Sequence, residues 1–129
     1  MYIKEIKSYY EEGKEADLII SDGAFELMAY AQPFLKRFKD EKFKLIAFTS
    51  ENIMTIDKEE YAIEKTNEGY YSYWFKGKLL DAKKGIVAIN NIIIEDVGWI
   101  PKDIHDGQFI EFTCQRVDYV CAKNLYLIK

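Results

Sequence analysis

Arginine, histidine, proline and cysteine are all scarce in this chain of 129 residues, and each scarcity excludes something. Of the 18 basic residues only Arg37 and Arg116 are arginine, and the net charge is −4. Arginine is the side chain best shaped for bidentate phosphate and base contacts, so nonspecific attachment to nucleic acid is disfavoured. His105 is the single histidine, and no Cys-x-x-Cys occurs, so the ligand set that zinc prefers is missing. Neither glycine-rich phosphate loop is present, and none of Ser8, Ser21, Ser50 or Ser72 stands in a nucleophile elbow. No catalytic motif, metal site or cofactor is expected, and the chain reads as non-enzymatic.

No apolar run approaches the roughly 18 residues of a membrane helix, and the longest is interrupted at Asn90-Asn91. The segment from Met1 to Glu5 has none of the apolar character of a secretory signal, so a soluble, cytoplasmic protein is expected. The two cysteines, Cys114 and Cys121, would lie roughly 23 Å apart on one extended segment at ~3.3 Å per residue, which makes them core thiols rather than a bridge.

What is present is hydrophobic and aromatic. With 49% hydrophobic and 31% charged residues the chain has the composition of one globular domain over 1–129. Strand cues dominate. Residues 2–10 read as a first strand, and 16–21 pairs with 24–32 across Ser21-Asp22-Gly23, an Asp-Gly hairpin signal. Pro33–Glu41 carries Phe34, Leu35 and Phe38 at helical spacing and predicts a short amphipathic helix or helical turn. Strands are then expected at 43–49, 53–56 and 61–65.

The stretch from Tyr70 to Glu95 reads as one long hairpin turning at Asp81–Gly85, with Gly85 supplying a positive φ. An irregular crossing from Asp96 ends at Gly107, and strands follow at 109–114, 117–121 and 125–128. The fold class is therefore all-β with one short helix. The strand order expected in 2–56 resembles an OB-fold, so a small OB-like β-barrel is the expected architecture. Residues 2–57 and 61–128 are candidate pseudo-repeats. Each holds a glycine turn (Gly23, Gly85), a proline-marked crossing (Pro33, Pro101) and a Phe-Thr strand (Phe48-Thr49, Phe112-Thr113).

Alternation along the central stretch puts Tyr71, Tyr73, Phe75 and Leu79 inward and Tyr70, Trp74, Lys76 and Lys78 outward. With Trp99 nearby, those outward residues form the candidate ligand-binding face, because rings offer stacking planes and lysines meet anions. The competing use of the same aromatics is a dimer contact. The run Lys36–Lys44 has five basic and two acidic residues and reads as a solvated face. His105 reads as an exposed turn histidine, and Glu111 as outward-facing. The expected function is a binding or interaction module with a protein partner or a second copy of the chain. An OB-like single-stranded nucleic-acid-binding domain and a homo-oligomeric structural subunit are the alternatives.

Overall fold

The computed structural model describes residues 1–125, of which the side chains are described through Lys123. β-Branched and aromatic residues are concentrated in the strands, and 54% of the chain is strand against 4% helical, so the protein is all-β. The strands are β1 (Tyr2–Tyr10), β2 (Glu15–Ser21), β3 (Glu26–Ala31), β4 (Lys44–Thr55), β5 (Ala62–Lys65), β6 (Tyr73–Asp81), β7 (Ile86–Ile89), β8 (Ile92–Glu95) and β9 (Phe109–Val120). A four-residue helix, α1 (Ala122–Leu125), follows β9. The expected strand at 125–128 falls almost wholly outside the described residues.

One sheet runs in the order β1-β2-β3-β9-β4-β8-β7-β6-β5, and a further β9–β6 ladder closes five of its strands into a barrel. The barrel is β4, β8, β7, β6 and β9. It is built from 44–120, whereas the OB-like order had been expected in 2–56. Strands β1–β3 form a meander outside the ring, docked through a parallel pairing of Tyr30 and Ala31 with Asp118 and Tyr119. The two parallel joints are β3–β9 and β4–β8, and the long crossings 32–43 and 96–108 lead from β3 to β4 and from β8 to β9.

Leaving β5 aside, the strand order reads the same from both ends when β1–β4 are exchanged for β6–β9. Each meander lays its third strand parallel to the other half's fourth strand, and the two fourth strands pair antiparallel. Two copies of a four-strand unit that traded last strands would make this arrangement. The symmetry stops at the barrel, because β6 pairs with β9 but β1 is an edge. Bulges between Ile3 and Glu5 and between Ile6 and Ser8, with Lys4 and Lys7 exposed, blunt that edge against stray pairing.

The core fills both compartments. Phe75 and Phe112 face each other across the closing ladder with ring centroids 5.2 Å apart, beside Leu79, Ile89, Ile92, Ile94 and Ile110, none with measurable exposure. Burying such side chains contributes about 1.5–3 kcal/mol each. Gly77 of β6 lets the closure happen: a Cβ there would stand 2.5 Å from the Ala88 carbonyl oxygen on β7. Cys114 and Cys121 are buried free thiols, and burial pushes Cys114 up to about 12.

Three local expectations change. The segment after Pro33 makes only a 3-10 turn at Lys36–Phe38. The Phe34 N–H is drawn to the Lys14 carbonyl at 2.7 Å, and Leu35 is extended (φ −109°, ψ 112°), so no helix can propagate from there. Phe34 is instead fully buried, edge-on to Tyr9 and Tyr119. The return arm of the central hairpin is itself a hairpin, β7–β8, because Asn90 takes φ +56°. The strands expected at 43–49 and 53–56 are one strand, β4, and those at 109–114 and 117–121 are one strand, β9.

Asp22 ties the two meanders together. Its Oδ1 accepts the Ala24 and Phe25 N–H groups at 2.9 and 2.7 Å, and its Oδ2 accepts the Asn90 amide and the Asn91 N–H at 2.8 and 2.9 Å. Burial alone would raise this carboxyl, but the four donors outweigh it and hold it down to about 2. A carboxyl lowered in the folded state stabilises above its unfolded pKa, and that contribution fades as pH falls through the folded value. Asp22→Asn is therefore expected to cost on the order of 1–2 kcal/mol at pH 7, discounted for solvent screening. The gap between the two proteins should shrink from pH 4 towards pH 2. Urea denaturation at pH 7, 4 and 2.5 reads this, and a pH-independent gap would refute it.

Candidate ligand-binding site

The residues marked out by alternation divide into separate places. Trp74, Lys76 and Lys78 do share the outer side of β6. Trp74, however, is half-buried, and its indole N–H donates to Glu111 Oε2 at 3.0 Å. The Lys76 ammonium lies 5.0 Å from the centre of the Trp74 ring and is ion-paired with Glu60, which raises the lysine and lowers the glutamate from their ordinary pKa values. Lys78 is exposed. Trp99 stands 74% exposed on the β8–β9 crossing, next to Gly98, which packs on Ser50 of β4. His105 is exposed in the same crossing, with its N–H bonded to the Gln108 side chain. The basic run Lys36–Lys44 places its aromatics Phe38 and Phe43 against the core and its lysines outside.

Tyr70 belongs elsewhere, for a local reason. The turn Gly69–Ser72 precedes β6, closed by the Ser72 N–H and hydroxyl on the Gly69 carbonyl. Strand alternation begins only at Tyr73, so it does not govern Tyr70 or Tyr71. Both side chains turn towards β4, β9 and β2 and line a cleft of about 380 Å³ with Phe48, Glu68, Gln115 and Arg116. Tyr70 and Phe48 are its exposed rings, at 61% and 47%.

Arg116 is the centre of this face. Its guanidinium sits 4.8 Å from the Tyr30 ring centre and 4.6 Å from that of Phe48, and it clamps Asp118 at 2.5 and 3.1 Å. Tyr30 meets Tyr71 edge-on at 5.6 Å, and Tyr71 meets Tyr70 at 4.8 Å with the rings 89° apart. The Tyr71 hydroxyl donates to Asp17 Oδ1 at 2.6 Å, and Ser8 donates to the other oxygen at 3.0 Å. Burial, with that carboxylate behind it, pushes the Tyr71 phenol well above its ordinary pKa. A second cleft of about 180 Å³ opens on the far side of Tyr71, lined by Ser8, Tyr9, Tyr10, Glu15, Ala16, Asp17 and Tyr30.

The ladder beneath this face is kinked. Along β9 the buried positions run Ile110, Phe112, Cys114 and then Val117, Tyr119, a slip of one residue at Gln115. Opposite it, Thr49 of β4 holds φ +54°, a left-handed conformation that is costly for a β-branched residue. Phe48, Thr49 and Gln115 are all exposed at the kink. Sequence reasoning missed Phe48, Tyr30, Asp17 and Arg116, and it placed Tyr71 inward. The available signals were the Tyr-Tyr pairs at 9–10 and 70–71 and the rarity of arginine.

Among the described residues no three His, Cys, Asp or Glu side chains gather as metal ligands would, and no helix is long and apolar enough to cross a membrane.

Thr49→Gly is expected to stabilise the fold by roughly 1 kcal/mol, since relief of the left-handed penalty exceeds the added chain entropy and the exposed side chain packs against little. Chemical denaturation decides it; a loss of stability would mean that the strain is compensated by contacts of the threonine itself. No protein-family model, no curated protein and no solved structure matches the chain.

Proposed function

We propose that the protein is a non-enzymatic binding module whose working surface is the aromatic cleft around Phe48, Tyr70, Tyr71 and Arg116. The observation that carries this reading is the pair of exposed rings, Tyr70 and Phe48, flanking a cleft whose arginine is already held in place by Tyr30 and Asp118. A prearranged floor lowers the cost of ordering side chains on association, and tyrosines with few rotatable bonds make favourable anchors. The two clefts adjoin at Tyr71, so an elongated occupant suits them better than a compact metabolite. An extended segment of a partner protein has that form. The titratable groups are engaged in positioning: Asp118 holds Arg116, and Asp17 holds Tyr71. The Trp74–Lys76 face is the weaker candidate, because its ring and cation satisfy one another.

An OB-like nucleic-acid-binding domain is the second reading. Its support is the linkage of the ring β6-β7-β8-β4-β9, with one parallel joint and four antiparallel ones, which resembles an OB barrel whose last strand has moved to the front. Against it stand the net charge of −4 and the aliphatic β7–β8 face, where OB domains present rings and cations.

The test is a peptide array probed with the wild-type protein, with Tyr70→Ala and with Trp74→Ala. Tyr70→Ala is expected to lose the bound spots by tenfold or more in affinity with an unchanged Tm, whereas Trp74→Ala keeps them. Retention of every spot by Tyr70→Ala overturns the site. Saturable binding of single-stranded oligonucleotides at low salt, in a polarisation titration, would favour the second reading.

A further inference from the structure

The smaller cleft beside Tyr71 has a chemistry of its own. Four tyrosines line it, Tyr9, Tyr10, Tyr30 and Tyr71, together with the carboxylates of Glu15 and Asp17, and no basic side chain is among its walls. Glu15 and Asp17 are two apart on β2, so both stand on the outer side of that strand while Ala16 and Leu18 point into the core. All the hydrogen bonds to these carboxylates come from neutral donors: Tyr71 and Ser8 on Asp17, and the Gln32 amide on Glu15 at 3.2 Å. The nearby phenols feel this field, for after burial it is Asp17 that raises Tyr71 and Glu15 that raises Tyr30. One face of Tyr9 and one of Tyr30 are taken by cations of the chain, Lys36 at 4.4 Å and Arg116 at 4.8 Å, and among the described contacts no cation lies over Tyr10 or Tyr71.

We infer that this cleft binds an organic cation, specifically a methylated ammonium group, held by the tyrosine faces and by the unneutralised charge of Glu15 and Asp17. Two carboxylates without a third ligand do not make a cage for a hydrated metal ion. A primary ammonium needs three well-placed acceptors, and three of the four carboxylate oxygens here already accept a hydrogen bond. A methylated ammonium donates little and needs only ring faces and a negative field, which is what the walls offer. At about 180 Å³ the cleft has room for such a head group. The inference rests on the reading of this surface as a binding face, and names one chemical feature of what it binds.

The head group could come from a methylated lysine in a partner protein or from a free choline-like molecule, and the experiment separates these. Tetramethylammonium chloride is titrated into the ¹⁵N-labelled protein, with sodium chloride as the ionic-strength control and 3,3-dimethylbutanol as the neutral analogue. Saturable shifts of the Glu15, Asp17 and Tyr71 amides with the cation, absent with both controls, are expected. Glu15→Gln should weaken the effect by roughly three- to tenfold. Asp17→Asn should do the same. Choline and a trimethyllysine peptide are then compared: tighter binding of the peptide assigns the source to a protein, and equal binding assigns it to the small molecule. Equal shifts from cation and neutral analogue, or none, overturn the inference. If that happens while Tyr70→Ala still abolishes array binding, the binding-module reading stands and only the cation pocket falls.

Discussion

The architecture depends on one strand doing three jobs. β9 is twelve residues long, and β4 pairs along almost all of it. On its other side the first half of β9 takes β6 and the last few residues take β3. The ladder to β6 closes the barrel, and the ladder to β3 attaches the outer meander, so both compartments of the core are organised by a single segment. A strand with partners on both sides over most of its length cannot shift register without breaking two ladders at once. That is why the slip at Gln115 is tolerated only together with the left-handed Thr49 across from it. Asp22 does the corresponding work at the hairpin tips, joining two turns separated by 68 residues in sequence.

That constraint also explains what could be read from the sequence. Short-range signals gave the right local structure: Asp22-Gly23 for the β2–β3 turn, Gly85 for the β6–β7 turn (φ +65°), Gly107 at φ +92° before β9, and the strand at 2–10. The all-β class follows from those. Long-range pairing was not legible, because nothing in residues 26–31 advertises that they will lie parallel to 118–119. The helix or helical turn expected after Pro33 is a single 3-10 turn, Lys36–Phe38, and stops there for the same reason. Its apolar spacing was real, but Phe34 is claimed by Tyr9 and Tyr119 from distant strands, and tertiary burial outweighs a short helical preference.

The site was legible only in fragments. Tyr70 is grouped with Trp74 and the lysines only by extending strand alternation three residues ahead of Tyr73, where β6 begins. Phe48 and Arg116 look like ordinary strand residues in isolation. Phe48 points outward by ordinary alternation after Leu45 and Ala47, whereas Arg116 does so only because the pattern of β9 slips at Gln115. A rule with period two cannot see a place where the period slips.

The same ingredients, aromatic ring, cation and carboxylate, occur on two faces of this protein, and their arrangement decides which is the better binding surface. On β6, Lys76 sits over Trp74 and pairs with Glu60, while Glu111 holds the indole N–H. Trp74, Lys76, Glu60 and Glu111 are all partnered within the chain there, so a ligand for that ring would first have to displace one. On the other face Arg116 and Asp118 are likewise matched, but Glu15 and Asp17 are held only by neutral donors, and Tyr70 and Phe48 leave much of their area in water. Exposed rings lose no internal contact when covered, and unneutralised carboxylates gain most from a cation that sheds its water easily. Unfinished electrostatics, more than the number of aromatics, is what separates the tyrosine face from the β6 face.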